Sequence, residues 1–143
     1  MGRITGWGGA AAAAAVGLET GYARATSSIT LTPSVQDVPG CSFSLSAGTW
    51  IVWGVFYGLC SVSDGTDTYI RGLLNVGGVA ETSEARSRVS PTGGYASFFT
   101  FPQTWIITLA STTTVKLQAL KPTTAGTHQV LATHTTIAAL KVA

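Results

Sequence analysis

From residue 28 onward, apolar and polar residues alternate in short runs, the pattern of β-strands that bury one face. The run CSFSLS sets Phe43 and Leu45 against serines, and STTTVKLQALK sets Val115 and Leu117 against polar residues. Stretches containing Gly, Asp or Pro separate these runs, as turns do. Eight or so such strands, with no convincing helix among them, predict an all-β fold, an antiparallel sandwich or barrel.

One run breaks the alternation. GTWIVWGVFYG, residues 48–58, carries apolar residues or glycine at every position after Thr49. A strand with one solvent face would be polar at one parity, and a large exposed apolar patch would promote aggregation. We therefore expect both faces of this strand to be covered. One parity contains Trp50, Val52, Gly54, Phe56 and Gly58, and the other contains Ile51, Trp53, Val55 and Tyr57.

The first 28 residues lack the strand pattern. They are rich in glycine and contain the run Ala10–Ala15, whose high helix propensity allows about two helical turns up to Leu18. The segment loosely imitates a secretory signal, but its apolar part is mostly glycine and alanine. We interpret residues 1–28 as an arm that anchors the chain to another polypeptide through Trp7, Val16 and Leu18, and residues 29–143 as one β-domain.

Composition favours a protein that is packed against other chains. Hydrophobic residues make up 45% of the sequence and charged residues only 10%, well below the roughly one quarter of ordinary soluble domains. The net charge of +2 is scattered, with no basic patch interleaved with aromatics, so no nucleic-acid partner is expected. No run of about twenty apolar residues occurs, so the sequence predicts no transmembrane helix and no membrane partner.

The cysteines and histidines suggest no reactive site. Cys41 and Cys60 are too few for a disulfide scaffold, although a bridge between them remains an alternative to two buried free thiols. His128 and His134 share parity on one predicted strand and would lie about 20 Å apart, too far to bind one metal ion. We interpret both as polar surface or interface residues.

The acidic residues also have simpler interpretations than catalysis or metal binding. Asp64 and Asp67 in DGTD fit a plain turn better than a calcium site, which needs more oxygen ligands. Nucleophile-elbow, P-loop and HExxH motifs are absent. We therefore predict that the protein is not an enzyme, with no catalytic residue, metal or cofactor. A solvated charged strand edge is favoured over a paired carboxylate site for Glu81, Glu84, Arg86 and Arg88.

Four segments of the β-domain resemble the C1q/TNF-like jelly-roll family. They are LSAGTWIV (45–52), YIRGLLNVGG (69–78), TTTVKLQA (112–119) and TTIAALKV (135–142), and the likeness covers about residues 28–143. Proteins of this kind are common as homotrimeric knobs, head fibres and capsid decorations of tailed bacteriophages. The N-terminus departs from the family because it has neither a collagen-like repeat nor a heptad coiled coil, so no long shaft is expected.

The resemblance implies an antiparallel jelly roll that assembles as a trimer. It also implies a cover for the second parity of the apolar strand, because one sheet of such domains meets its neighbours around the threefold axis. Ile51, Trp53, Val55 and Tyr57 are therefore the expected trimer interface. The alternative is that this strand is central within one subunit and is covered by the N-terminal arm.

Three functions follow from these expectations. The first is a structural virion protein, a homotrimeric capsid decoration or head fibre bound to the major capsid protein or another virion protein. The second is a tail-fibre or baseplate knob that binds a receptor or host surface glycan through loop aromatics such as Tyr95, Phe98 and Phe99. The third is a small β-sandwich enzyme or lectin outside a virus. The short arm favours decoration of the particle, and hence location in the virion.

Overall fold

The computed structural model describes residues 18–61, 68–89, 96–122, 124 and 126–143. For Val89 it describes the backbone only. These residues form strands and connecting segments, and no helix occurs among them. The strands are β1 (Thr20–Arg24), β2 (Ile29–Thr30), β3 (Gln36–Leu45), β4 (Gly48–Ser61), β5 (Thr68–Val76), β6 (Val79–Val89), β7 (Ala96–Leu109), β8 (Thr113–Leu120), β9 (Thr127–Val130) and β10 (Thr136–Lys141).

The strands form two sheets in which every pairing is antiparallel. The first sheet runs in the order β1-β10-β4-β9-β2, with β7 along the other edge of β4. The 14-residue strand β4 pairs with β7 over its whole length, while β10 and β9 share its opposite edge. The second sheet has the order β3-β8-β5-β6. The predicted all-β antiparallel sandwich is confirmed.

The core lies between the two sheets and receives the first parity of β4. Trp50, Val52 and Phe56 are buried there, as the alternation predicts. The indole N–H of Trp50 donates to the carbonyl of Ser46 at 3.0 Å, which satisfies the one polar atom of that side chain. Burying each of these side chains contributes roughly 1.5–3 kcal/mol, so this parity of β4 is a main source of subunit stability.

Two turns predicted from glycines are present. Gly77 and Gly78 connect β5 to β6 with φ values of 58° and 98°, the left-handed conformations that a two-residue hairpin requires. Gly48 begins β4 with φ of 137°, and a Cβ atom there would lie 2.5 Å from the carbonyl oxygen of Ala143. The predicted turn at residues 63–67 lies outside the described residues.

The C-terminal half differs from the prediction in one strand. The runs YASFFTF and TWIITLA suggest two strands, but residues 96–109 form the single strand β7, with Pro102 inside it. Proline has no N–H to donate, and it is tolerated in edge strands. Because β7 lies at the edge of the first sheet, Pro102 pairs in register with Val55 without interrupting the strand.

The sandwich begins earlier than the boundary expected at residue 29. Strand β1 pairs with β10 from Thr20 to Arg24, and Ala25 belongs to the core. Strand β2, by contrast, has only two residues. Residues 20–25 are thus part of the first sheet and its core, because β10 offers a free edge to which a short strand adds. The helix expected from Ala10 lies almost entirely outside the described residues, as do Trp7 and Val16.

Candidate functional site

The outer face of the first sheet is the most apolar surface of the described residues. Alternate residues of β1, β10, β4 and β7 point away from the core there, and their register places them in rows across the sheet. We call this surface the apolar face. Its apolar members are Tyr22, Ala138, Leu140, Ile51, Trp53, Val55, Tyr57, Leu59, Phe98, Pro102 and Ile106, and the register places Thr20, Thr100, Thr104, Thr108 and Thr136 among them.

The rows bring together residues from distant parts of the chain. Leu140, Ile51 and Ile106 occupy one row, and Tyr22, Ala138 and Trp53 the next. Tyr22 is 67% exposed, Trp53 37% and Ile106 73%. Several large apolar side chains are thus exposed on neighbouring strands of one sheet face, more than the scattered apolar residues of an ordinary surface.

An aromatic ladder forms one end of the apolar face. The ring of Tyr57 stacks on that of Phe98, with centroids 6.1 Å apart, and meets the edge of His134 at 5.2 Å. Phe98 remains 59% exposed. Phe98 and Phe99 belong to β7 rather than to a loop, and Phe99 packs against the core, so the prediction of two loop aromatics was wrong. Tyr95 lies outside the described residues.

Charge is scarce on the apolar face. At the described register positions of this surface, Arg24 of β1 is the one charged residue, and its guanidinium donates to the carbonyl of Thr133 at 2.5 Å. Burying this face against a partner therefore desolvates few charges, which would otherwise oppose association.

The four residues predicted for the trimer interface lie together on this face. Ile51, Val55 and Tyr57 are half-buried and Trp53 is exposed, so the described part of the chain leaves them incompletely covered. The trimer contact itself stays a prediction, as does the alternative cover by residues 1–17. Sequence reasoning missed the neighbouring residues Tyr22 and Ile106; the adjacent pair Ile106-Ile107, apolar at both parities, was the available signal.

The outer face of the second sheet has the opposite character. Lys116 and Gln118 of β8 donate to the Asp37 carboxylate at 2.7 and 2.6 Å, and the Lys116 ammonium lowers the pKa of Asp37. On the neighbouring strands, Glu84 forms ion pairs with Arg71 and Arg86. This face thus satisfies its charges within the subunit.

Strand β6 is the edge strand of the second sheet, and Arg86 on it is exposed. Glu84 is less solvated than expected, with a side chain only 12% exposed. Burial raises the pKa of Glu84, but hydrogen bonds from Arg71 and Arg86 outweigh it and leave that pKa below its usual value. Strand β6 is therefore a charged edge strand, as expected, but Glu84 is mostly buried and pairs with two arginines.

Both cysteines are free and buried. Burial raises the pKa of Cys41 to about 11 and also raises the pKa of Cys60, so neither thiol is activated for nucleophilic chemistry. Within the described residues, no group of three or more His, Cys, Asp or Glu side chains is arranged to bind a metal ion. Asp64 and Asp67 lie outside that part of the chain.

The two histidines lie in different surroundings. His128 lies on β9 and is completely buried, whereas His134 lies in the turn before β10. The prediction of a surface or interface position is wrong for His128 but agrees with the exposed His134, and the two residues do not share a strand. His128 shares its parity with the buried Val130, and that local alternation was the signal for its burial.

Two further features of the described residues bear on binding. An open groove of about 790 Å³ lies over the second sheet and is lined mainly by polar residues, including Ser42, Asn75 and Thr114.

None of the described segments is a helix that is long and apolar enough to cross a membrane.

The strand order and pairing define a jelly roll of the TNF type. The Eiger TNF of S. frugiperda has this fold, with a TM-score of 0.58 at 10% identity, covering 88% of this chain and 93% of that one. A chain in the structure of infectious bursal disease virus Gt strain matches with a TM-score of 0.54 and 12% identity over 88% of this chain. A chain of the T13 particle of the same virus matches with a TM-score of 0.55 and 11% identity over 87%.

This chain spans 33% and 31% of the two viral chains, so it corresponds to one part of each. No protein-family profile matches the sequence, and no curated protein is detectably similar to it. The TM-scores of 0.54 to 0.58 show a common fold, and identities of 10–12% show no more than that. The expected TNF-like jelly roll is thereby confirmed.

Proposed function

We propose that this protein is a structural virion protein, a homotrimeric capsid decoration or head fibre that assembles through the apolar face. The observation that carries the proposal is the apolar face itself, which is broad, aromatic and almost uncharged. The resemblance to C1q/TNF-like jelly rolls supports a threefold arrangement, and the shared fold with chains of a viral particle supports a place in a virion.

The energetics favour self-association. Trp53 and Ile106 are large apolar side chains, and complete removal of such a side chain from water contributes roughly 1.5–3 kcal/mol. Because the face is already partly covered in the subunit, each side chain adds only the share set by its exposed fraction, and three subunits gain on the order of ten kcal/mol before the entropy of association is subtracted. A folded monomer is therefore scarce at working concentrations.

Attachment to the particle is assigned to the N-terminal arm. Leu18 is 73% exposed immediately before β1, so the chain enters the sandwich with an apolar side chain in solvent. The exposed Leu18 supports an anchor that also includes Val16 and Trp7, which lie outside the described residues. The partner in this proposal is the major capsid protein or another virion protein.

Analytical ultracentrifugation of the full chain tests the trimer. Trp53→Asp places a charge in the proposed interface, and we expect folded monomers in place of trimers. Ser42→Asp is the matched control, because Ser42 is exposed on the outer face of the second sheet, and it should remain trimeric. If the wild-type chain is monomeric, or if Trp53→Asp stays trimeric, the apolar face is not the subunit contact.

The virion assignment needs a separate measurement. Mass spectrometry of purified particles should find the chain in a copy number divisible by three, together with the shell protein. Its absence from particles would overturn the virion assignment while leaving a trimer intact.

A further inference from the structure

One buried polar cluster joins the two sheets at an end of the sandwich. His128 of β9 lies directly opposite Cys60 of β4 in register, and both point into the core. Its ring nitrogen Nε2 is hydrogen-bonded to Oγ1 of Thr68, the first residue of β5 in the other sheet. His128, Cys60 and Thr68 are all essentially inaccessible to solvent. The imidazole therefore makes a buried polar contact between the two sheets.

The surroundings of His128 do not accommodate a positive charge. A protonated imidazole has two N–H donors, but Nδ1 is buried and has no hydrogen-bond partner in the described part of the chain. Lys121, the residue after β8, is also buried, and its ammonium donates to the carbonyl of Gly126 at 2.7 Å. From the described elements, His128 therefore faces the thiol of Cys60, the hydroxyl of Thr68 and the positive charge of Lys121.

These surroundings decide the protonation state in the folded chain. Burial lowers the pKa of His128, and the charge of Lys121 lowers it further. The nearby Gly126 carbonyl opposes this, but it is the smallest of the three influences and already accepts the hydrogen bond from Lys121. The folded protein thus holds His128 neutral under conditions in which an imidazole in water is partly charged.

We propose that His128 is an acid-sensitive contact between the sheets, and that its protonation releases β9 together with the contact between Lys121 and Gly126. Strand β9 has only four residues, which pair with β4 and with the two-residue strand β2. The amide of Leu31 donates to the carbonyl of His128 at 2.8 Å, so loss of β9 also loosens the chain after β2. This regulation concerns the end of the sandwich, and it does not rest on the proposed assembly, although β9 pairs with β4 at Leu59 of the apolar face.

The sign of the pH effect follows from linkage. Because the unfolded chain binds a proton at His128 more readily than the folded chain, stability is complete above the ordinary imidazole pKa of about 6.5 and is lost as pH falls below it. Each unit by which folding lowers this pKa changes the folding equilibrium tenfold at pH values below both pKa values.

The sequence makes the test specific, because it contains only two histidines. In an NMR titration of the imidazole C–H signals of the full chain, we expect His128 to titrate below the ordinary imidazole value of about 6.5. As His128 titrates, amides of β9 should lose hydrogen-exchange protection before those of β10, after correction for the intrinsic pH dependence of exchange. If His128 titrates at or above about pH 6.5, the proposal is overturned.

Variants give the second measurement. His128→Gln keeps a side chain that can hydrogen-bond Thr68 but does not titrate, so the loss of melting temperature between pH 7 and pH 5 should shrink. His134→Gln removes the other histidine, whose exposed ring contacts Tyr57 at the end of the apolar face, and it should retain most of the wild-type loss. If instead His134→Gln removes the pH dependence and His128→Gln retains it, acid acts at another site and the inference fails. If His128→Gln does not fold, the titration of the wild-type chain decides the question.

Discussion

The outer faces of the two sheets carry different side chains although both sheets cover the same core. On the second sheet, Asp37 binds Lys116, and Glu84 lies between Arg71 and Arg86. On the first sheet, Trp53 and its neighbours leave aromatic and aliphatic groups exposed, with Arg24 as the charged residue of the described positions. The outer face of the second sheet is stable in contact with water, whereas covering the outer face of the first sheet with another surface lowers the free energy.

This difference explains why strand β4 is apolar at both parities. Its inward parity builds the subunit core, and its outward parity belongs to the apolar face. Polar substitutions at the inward parity should therefore prevent folding of the subunit, and those at the outward parity should prevent association. Substitutions on the second sheet should affect neither strongly.

The largest effect is expected for Trp50→Asp. This substitution buries an unpaired carboxylate and leaves a cavity in the core, so it should cost several kcal/mol, comparable with the total stability of a small domain. Circular dichroism should show loss of the strand signal. A folded Trp50→Asp chain with unchanged melting would contradict the assignment of this parity to the core.

Ile106→Glu should act on assembly alone. Ile106 is exposed in the subunit, so the monomer should keep its fold, but a buried carboxylate in the trimer should raise the dissociation constant about a hundredfold or more. Sedimentation over a dilution series measures this, with Thr114→Glu on the second sheet as control. Equal dissociation constants for the two variants would remove β7 from the interface.

Glu84→Gln tests the charged face and should cost about 1 kcal/mol at neutral pH through the weakened contacts with Arg71 and Arg86. The pKa of Glu84 is lowered in the folded chain, so its contribution is present above about pH 4.3 and is lost as pH falls through the folded value. Urea unfolding at pH 7 and pH 3 should show a larger wild-type advantage at pH 7 than at pH 3. An equal advantage at both pH values would mean that charge is not its source.

Deletion of residues 2–17 should have the smallest effect on the sandwich. It preserves β1, so a folded trimer is expected that no longer binds the particle. Light scattering and particle-binding assays measure the two properties. If the arm covers the apolar face instead, the truncated chain will aggregate, and if it still binds particles at full occupancy, the arm is not the anchor.

Local patterns in the sequence were sufficient for the fold class and for the core parity of β4. Alternation in CSFSLS and the glycines at residues 77 and 78 act through neighbouring residues, so strands and hairpins follow from them directly. Strand β7 was harder to predict, because Pro102 is tolerated only where the sheet has an edge, and an edge is a property of the assembled sheet.

The sequence alone determined that β4 has two apolar faces, but only the tertiary structure decided what surrounds each one. Tyr22, Trp53, Ile106 and Ala138 lie far apart in the chain and become neighbours through strand register, which no local periodicity encodes. The burial of His128 likewise depends on Cys60 and Thr68, which reach it from two other strands. Periodicity assigns a side chain to one side of its own strand, whereas pairing between distant strands determines the residues that surround it.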